Sequence, residues 1–220
     1  MENFSVEIEY ALLSMQAALL REVTPELRAV SIDLDQNEML MHAYFYCDKE
    51  ISEKQLDTWQ CVTTEASASM LPRFILEPKI ERLDYPRQIP LKGYFIYLRK
   101  EEVGVQHKKN SFPRIELKEQ SLGYAMLAAQ HALLGVVTPE LRAVTVDFNK
   151  EKLLLSIYFY YDKEVPKPLI DLWLSTIAEI RADFFPNSLL DNAVERVDYP
   201  LVFPFCGRYA YFRKEQHIAR

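Results

Sequence analysis

The heptapeptide TPELRAV runs from Thr24 to Val30 and returns, letter for letter, from Thr138 to Val144. The register between the two copies extends in both directions. Adding 114, the offset between Thr24 and Thr138, carries Tyr10–Glu101 onto Tyr124–Glu215 without a gap. Tyr44-Phe45-Tyr46 maps to Tyr158-Phe159-Tyr160, Asp48-Lys49-Glu50 to Asp162-Lys163-Glu164, and Trp59 to Trp173. Asp84-Tyr85-Pro86 maps to Asp198-Tyr199-Pro200, and Arg99-Lys100-Glu101 to Arg213-Lys214-Glu215. About four in ten aligned positions are identical, which identifies an internal duplication.

Each copy reads the same way. Ile8, Leu12, Met15 and Leu19 recur at helical spacing, as do Met126, Ala129, Leu133 and Val137. Pro25 and Pro139 are expected to stop these helices, because the residue before a proline is pushed out of the helical region. LRAVSIDL then alternates as a half-buried strand. DQNE turns the chain into MLMHAYFYC, which gives an antiparallel hairpin with Met41, Ala43 and Phe45 on one face and His42, Tyr44 and Tyr46 on the other. A second helix follows, capped by Ser52 in copy one and opened by Pro166 in copy two, with Trp59 or Trp173 on its inner side. Two more strands, near ILEPKIERLDY and YFIYLRK, complete the unit. The predicted class is α+β: two tandem α-β-β-α-β-β units, each an antiparallel-rich sheet with two helices on one face. The expected bounds are 1–104 for the first repeat, 105–116 for a linker carrying Lys108 and Lys109, and 117–220 for the second repeat. A fused homodimer is the natural origin, so pseudo-twofold symmetry is expected, with the monomer behaving as a pseudo-dimer.

Composition narrows the function. Net charge is -6, so the general basic field that nucleic acid or anionic membrane requires is missing. The start, MENFSVEIEY, has acids where a signal peptide has bases, and no apolar run approaches membrane-spanning length. Cys47, Cys61 and Cys206 form no CxxC pair, and the expected location is cytoplasmic.

The search for chemistry yields little. Gly-rich phosphate loops, GxSxG and HExxH are absent from the sequence. His42, His107, His131 and His217 are not duplicated, nor are the cysteines. No catalytic residue, metal ligand or cofactor is assigned. The repeated charges Arg28, Asp48, Asp84, Arg142, Asp162 and Asp198 are expected to bridge elements of the scaffold. The repeated aromatics are the candidate contact set: Tyr44, Tyr46, Tyr97 and Arg99 in copy one, and Tyr158, Tyr160, Tyr211 and Arg213 in copy two. They are expected, with Phe95, on the sheet face away from the helices. Such a face suits a protein partner or the inter-repeat interface. It also has the look of a base-stacking platform, but the acidic balance and the absence of a KGFGFV-like run argue against RNA.

With YFYYDKE, ERVDYP and YFRKE following TPELRAV in order, the sequence resembles a family of small bacterial proteins about the length of one repeat. Copy two matches the pattern best, through Ala132–Gly135 and Asp183-Phe184; copy one departs at Arg21 and at Ser69-Met70. Some of these proteins resemble immunity proteins of contact-dependent growth inhibition or colicin-type toxin systems. The resemblance implies a non-enzymatic cytosolic binder that neutralises a toxin domain, and an acidic chain suits a basic toxin. It carries over no binding residue. The alternatives are an enzyme with a cleft between the repeats, which requires the duplicated charges to converge there, and an adaptor using exposed tyrosine faces.

Overall fold

A computed structural model describes residues 2–35, 38–70, 74–101, 121–204 and 206–215. The expected linker and its lysines lie outside these residues. Repeat one contains α1 (Glu2–Ala18), β1 (Leu27–Asp35), β2 (Leu40–Cys47), α2 (Glu53–Ala68), β3 (Ile75–Arg82) and β4 (Tyr94–Leu98). Repeat two contains α3 (Leu122–Leu133), β5 (Leu141–Asn149), β6 (Leu154–Tyr161), α4 (Lys167–Phe184), β7 (Leu189–Arg196) and β8 (Arg208–Phe212). The sheets run β3-β2-β1-β4 and β7-β6-β5-β8. β1 is antiparallel to β2 and β4, whereas β3 lies parallel to β2, a pairing that needs the crossover supplied by α2. Repeat two follows the same pattern.

Both helices of each repeat pack on one sheet face. Leu12, Met15 and Trp59 meet Val30, Ile32 and Phe45 there, and the same core continues through Trp173, Val144 and Phe159 of repeat two. Ser52 caps α2 in a reciprocal box with Gln55.

Three local expectations are corrected. The prolines do not stop the first helices. α1 ends at Ala18 and α3 at Leu133, and the chain then reverses through a left-handed residue, Arg21 (φ 68°) in one repeat and Gly135 (φ 74°) in the other. Second, β1 is not half-buried: Leu27 to Ile32 are buried on both faces. The loop after β3 folds over the far face, with Ile89 packing on Ala29, Tyr46 and Phe95, and Phe203 does the same in repeat two. Third, Phe95 and Tyr97 do not share a face. The ladder between β1 and β4 slips at Val30/Ser31, so Ile96 is an extra residue and the alternation changes sides. Phe95 joins the loop-covered face while Tyr97 enters the helix-side core. Ala210 plays the same part before Tyr211.

The repeats meet in an isologous contact. The Arg21 N–H donates to the Phe212 carbonyl at 2.8 Å, and the Gly135 N–H to the Leu98 carbonyl at 2.8 Å. Lys214 N–H reaches Val23 O at 3.1 Å, and Lys100 N–H reaches Val137 O at 2.8 Å. Each bond has its mate at the equivalent position of the other copy, as a twofold axis demands. Substitutions break the symmetry of the side chains: Arg21 stacks its guanidinium 4.6 Å from the Phe212 ring centroid, whereas Gly135 faces Leu98, and Lys214 pairs with Glu22 at 2.6 Å where the other copy has Lys100 and Val136.

Two glycines test these constraints. At Gly93 (φ 58°) a Cβ would overlap the Ile32 carbonyl, whereas at Gly135 it would meet only Leu98 Cδ2 at 3.9 Å. Gly93→Ala is expected to cost at least about 3 kcal/mol, and Gly135→Ala about 1 kcal/mol. Urea denaturation of both variants checks the order.

Candidate functional site

The repeated charges form one network inside each repeat. Arg28 is fully buried, and its guanidinium fork grips Glu101, Nε to Oε1 at 2.5 Å and Nη2 to Oε2 at 2.6 Å. Its remaining donors reach the carbonyls of Leu83 at 2.6 Å and Arg87 at 3.0 Å. This one side chain therefore ties β1 to the end of β4 and to the loop that seals the far face. Arg142 repeats the arrangement with Glu215 (2.6 and 3.0 Å), Val197 O and Leu201 O. Charge-assisted, bidentate bonds of this kind satisfy a buried guanidinium.

A second layer surrounds it. Arg99 Nη2 donates to Asp48 at 2.6 Å and its Nη1 to the Pro25 carbonyl at 2.6 Å; Arg213 holds Asp162 at 2.7 Å in the same way. The Asp48 carboxylate also accepts from Tyr85 N–H at 2.8 Å, while Asp84 accepts from Lys49 N–H at 2.6 Å. The Asp-Lys-Glu turn and the Asp-Tyr-Pro loop thus clasp each other, with Lys49 at φ 64°. Asp84 also pairs with Arg82 at 2.9 Å on the surface, as Asp198 does with Arg196 at 3.0 Å. Within TPELRAV, the Thr24 carbonyl accepts from Leu27 N–H at 3.1 Å and Ala29 packs on the loop-covered face. Pro25 offers a carbonyl to Arg99, the Glu26 carbonyl accepts from Asp48 N–H, Leu27 and Val30 enter the core, and Arg28 holds the loop.

The contact set is placed as follows. Tyr44, Tyr46, Tyr97, Tyr160 and Tyr211 are buried, and Tyr158 is half-buried. Arg99 and Arg213 keep 18% and 19% of their side-chain surface. Tyr97 and Tyr211 lie at the junction of the repeats, where burial pushes both phenols up. Burial also lifts the Cys47 thiol to about 12.

A groove of about 1180 Å³ opens between the repeats, flanked by Thr24, Lys54, Arg99, Thr138, Lys163 and Arg213. Of the duplicated charges, Arg99, Asp162, Arg213 and Glu215 line it, and each is engaged in an ion pair within its own repeat. Arg28 and Arg142 spend their donors within their own repeats, and Arg99 and Arg213 are held by their own aspartates. Among the described residues, no Ser, Cys or His lines the groove. His131, Glu179 and Asp183 place one ligand atom each within 4.8 Å of one another. Copy one has Ala17, Glu65 and Ser69 at these positions. The trio links α3 to α4 in one repeat only.

The outer sheet faces differ between repeats in a way the sequence reading missed. On repeat one, Lys92 lies 4.3 Å and Lys79 5.7 Å from the Tyr44 ring centroid, and Lys92 pairs with Glu81 at 3.2 Å. The equivalents of Lys79 and Lys92 are Ala193 and Cys206, while the acids Asp33, Glu77 and Glu81 persist as Asp147, Asp191 and Glu195. Tyr158 donates its hydroxyl to Asp191 at 2.6 Å, and that bond is the main reason its phenol is pushed up. Repeat one is therefore locally neutralised where repeat two stays acidic. Laying the two copies over each other is the signal that reveals this.

The described residues form an acidic α+β fold of two like units whose repeated charges are held in internal networks, the form of a pre-built binding surface. The chain matches the family described as MafI2 immunity protein over residues 9–101 and again over residues 123–215. It belongs to that family, with one family unit in each repeat, and its partner class is protein. No curated protein matches the chain. Among the described residues, no helix is long and apolar enough to cross a membrane.

The buried forks set two predictions. Arg28→Ala takes the bidentate partner from Glu101, whose side chain is 2% exposed, and leaves it the longer Arg99 contact at 3.3 Å; it is expected to cost about 3–5 kcal/mol. Arg142→Ala should cost less, because Glu215 at 16% exposure can still reach water. Urea melts of the two variants decide the order, and Arg28→Lys should not rescue, because an ammonium cannot reproduce the fork. The surface clasp sets the acid limb. The Arg82 side chain and then the Lys49 amide hold the Asp84 carboxyl below the usual range, and Arg196 and Lys163 do the same for Asp198. A depressed carboxylate stabilises above its unfolded pKa, and that stability drains as pH falls below about 4. Asp84→Asn combined with Asp198→Asn should shallow this slope in urea titrations at stepped pH.

Proposed function

We propose that the chain is a cytoplasmic immunity protein that binds a basic toxin domain and neutralises it by covering its working surface. The observation that carries this reading is the family match over both repeats. The charge supports the choice of partner, because a net charge of -6 favours fast encounter with a basic domain. Binding then needs no chemistry from this chain, only a pre-formed surface. Its stiffness comes from the loops that Arg28 and Arg142 lock down, so little ordering cost falls on association. The accessible part of the tyrosine–arginine set is Tyr158, Arg99 and Arg213, and contact is assigned to these side chains rather than to their buried companions.

Co-expression with the toxin domain encoded by the neighbouring gene tests the reading. Growth should be restored, and a stable complex should co-purify. The association rate should fall at least tenfold between low salt and about 0.5 M salt, because exposed charges more than a Debye length apart are screened. Growth arrest with no complex contradicts the reading.

A further inference from the structure

The strongest difference between the repeats lies at the outer edges of the sheets. Among the described residues, β3 and β7 are terminal strands, each paired on one side only. The odd-numbered amides point inward: Ile75 N–H donates to Met39 O and Leu189 N–H to Leu153 O, while Leu83 and Val197 donate to Cys47 and Tyr161. Residues of even number therefore turn their N–H and C=O groups away from the sheet. Pro78 occupies such a position on β3, and its ring removes the outward donor in the middle of that edge. Lys79 follows it. Proline and lysine on a terminal strand are the usual means of preventing another strand from adding. The equivalent positions on β7 are Asn192 and Ala193. Both protections are gone, and Leu190, Asn192 and Val194 present an uninterrupted row of outward backbone groups.

Charge says what the edge fits. Asp191 and Glu195, both exposed, alternate along β7 on the face opposite the helices, and Asp147 lies on the same face. The two lysines that offset these acids in repeat one are replaced by Ala193 and Cys206. A strand laid along β7 gains main-chain bonds from the edge and places alternate side chains beside carboxylates. The apolar side chains of Leu189 and Leu153, 63% and 38% exposed, offer a seat where the edge begins.

We infer that the free edge of β7 receives an extended, Lys/Arg-bearing segment of the toxin domain as an added strand, and that repeat one is closed to the same interaction. This rests on the immunity reading above and assigns it a surface. Repeat one then serves as the scaffold half, and repeat two as the reading half.

The test transplants the protections. Asn192→Pro and Ala193→Lys carry the residues of β3 onto β7, in a register where repeat one shows that they are tolerated. The dissociation constant for the toxin domain of the neighbouring gene should rise at least tenfold in the double variant, with far-UV circular dichroism and the urea midpoint unchanged. The reciprocal Pro78→Asn with Lys79→Ala should leave it unchanged. Hydrogen exchange on the wild-type chain gives a readout that needs no variant: the Leu190, Asn192 and Val194 amides should exchange freely alone and become protected in the complex. Binding by wild type and double variant alike, or no added protection at these amides, overturns the edge assignment and leaves the immunity reading standing. Protection of the same amides in the free chain overturns it too, because the edge is then already occupied. Failure of the wild-type chain to bind at all overturns both.

Discussion

One buried arginine in each repeat holds the rest in place. A guanidinium at 0% exposure is tolerable only if every donor finds an acceptor, and Arg28 finds a carboxylate and two carbonyls. Those acceptors lie 55 to 73 residues from Arg28 along the chain, on the Arg-Lys-Glu segment after β4 and at two points on the loop after β3. Satisfying the charge therefore fixes where the loop lies. The loop in turn buries the second face of the sheet, so β1 is covered on both sides from Leu27 to Ile32. Without this tie the far face would be an open aromatic platform, the kind of surface the sequence invites one to imagine.

The symmetry of the duplication is kept where the structure needs it. Identical motifs cluster on the Arg28 network, the Asp-Lys-Glu and Asp-Tyr-Pro clasp and the contact between repeats. The residues just before TPELRAV and those around the Arg-Lys-Glu end make the crossed pairs of backbone hydrogen bonds, which tolerate Arg21 against Gly135 and Leu98 against Phe212. Where the repeats face outward, the sequence has diverged. The Pro78/Asn192, Lys79/Ala193 and Lys92/Cys206 pairs change the charge and openness of one edge without touching the core. A fused dimer has this freedom: one half can stay closed while the other specialises.

Much of the fold was legible beforehand. Helical spacing, the hairpin turn and the gapless register gave the element order, the class and the duplication. Other features were not legible. The prolines of TPELRAV look like helix stops, but the reversal happens earlier, at Arg21 and Gly135, where backbone conformation decides and sequence gives a clue only at the glycine. The side on which Tyr97 falls depends on a single extra residue, Ile96, and strict alternation cannot register a bulge. The partner of Arg28 was visible as the repeated Glu101, but no local spacing links residues 73 apart in sequence. The functional surface was hidden for a different reason. Identity between copies draws attention to the scaffold, whereas the informative positions are those where the copies disagree.

The claim that the repeated charges are scaffold is tested most directly by a double-mutant cycle between Arg28 and Glu101, measured by urea denaturation. With Arg28→Met, Glu101→Leu and the double variant, the account predicts a coupling energy of at least about 2 kcal/mol. The double variant should recover a large part of what either single change loses. A coupling near zero, with the two losses simply adding, would contradict it.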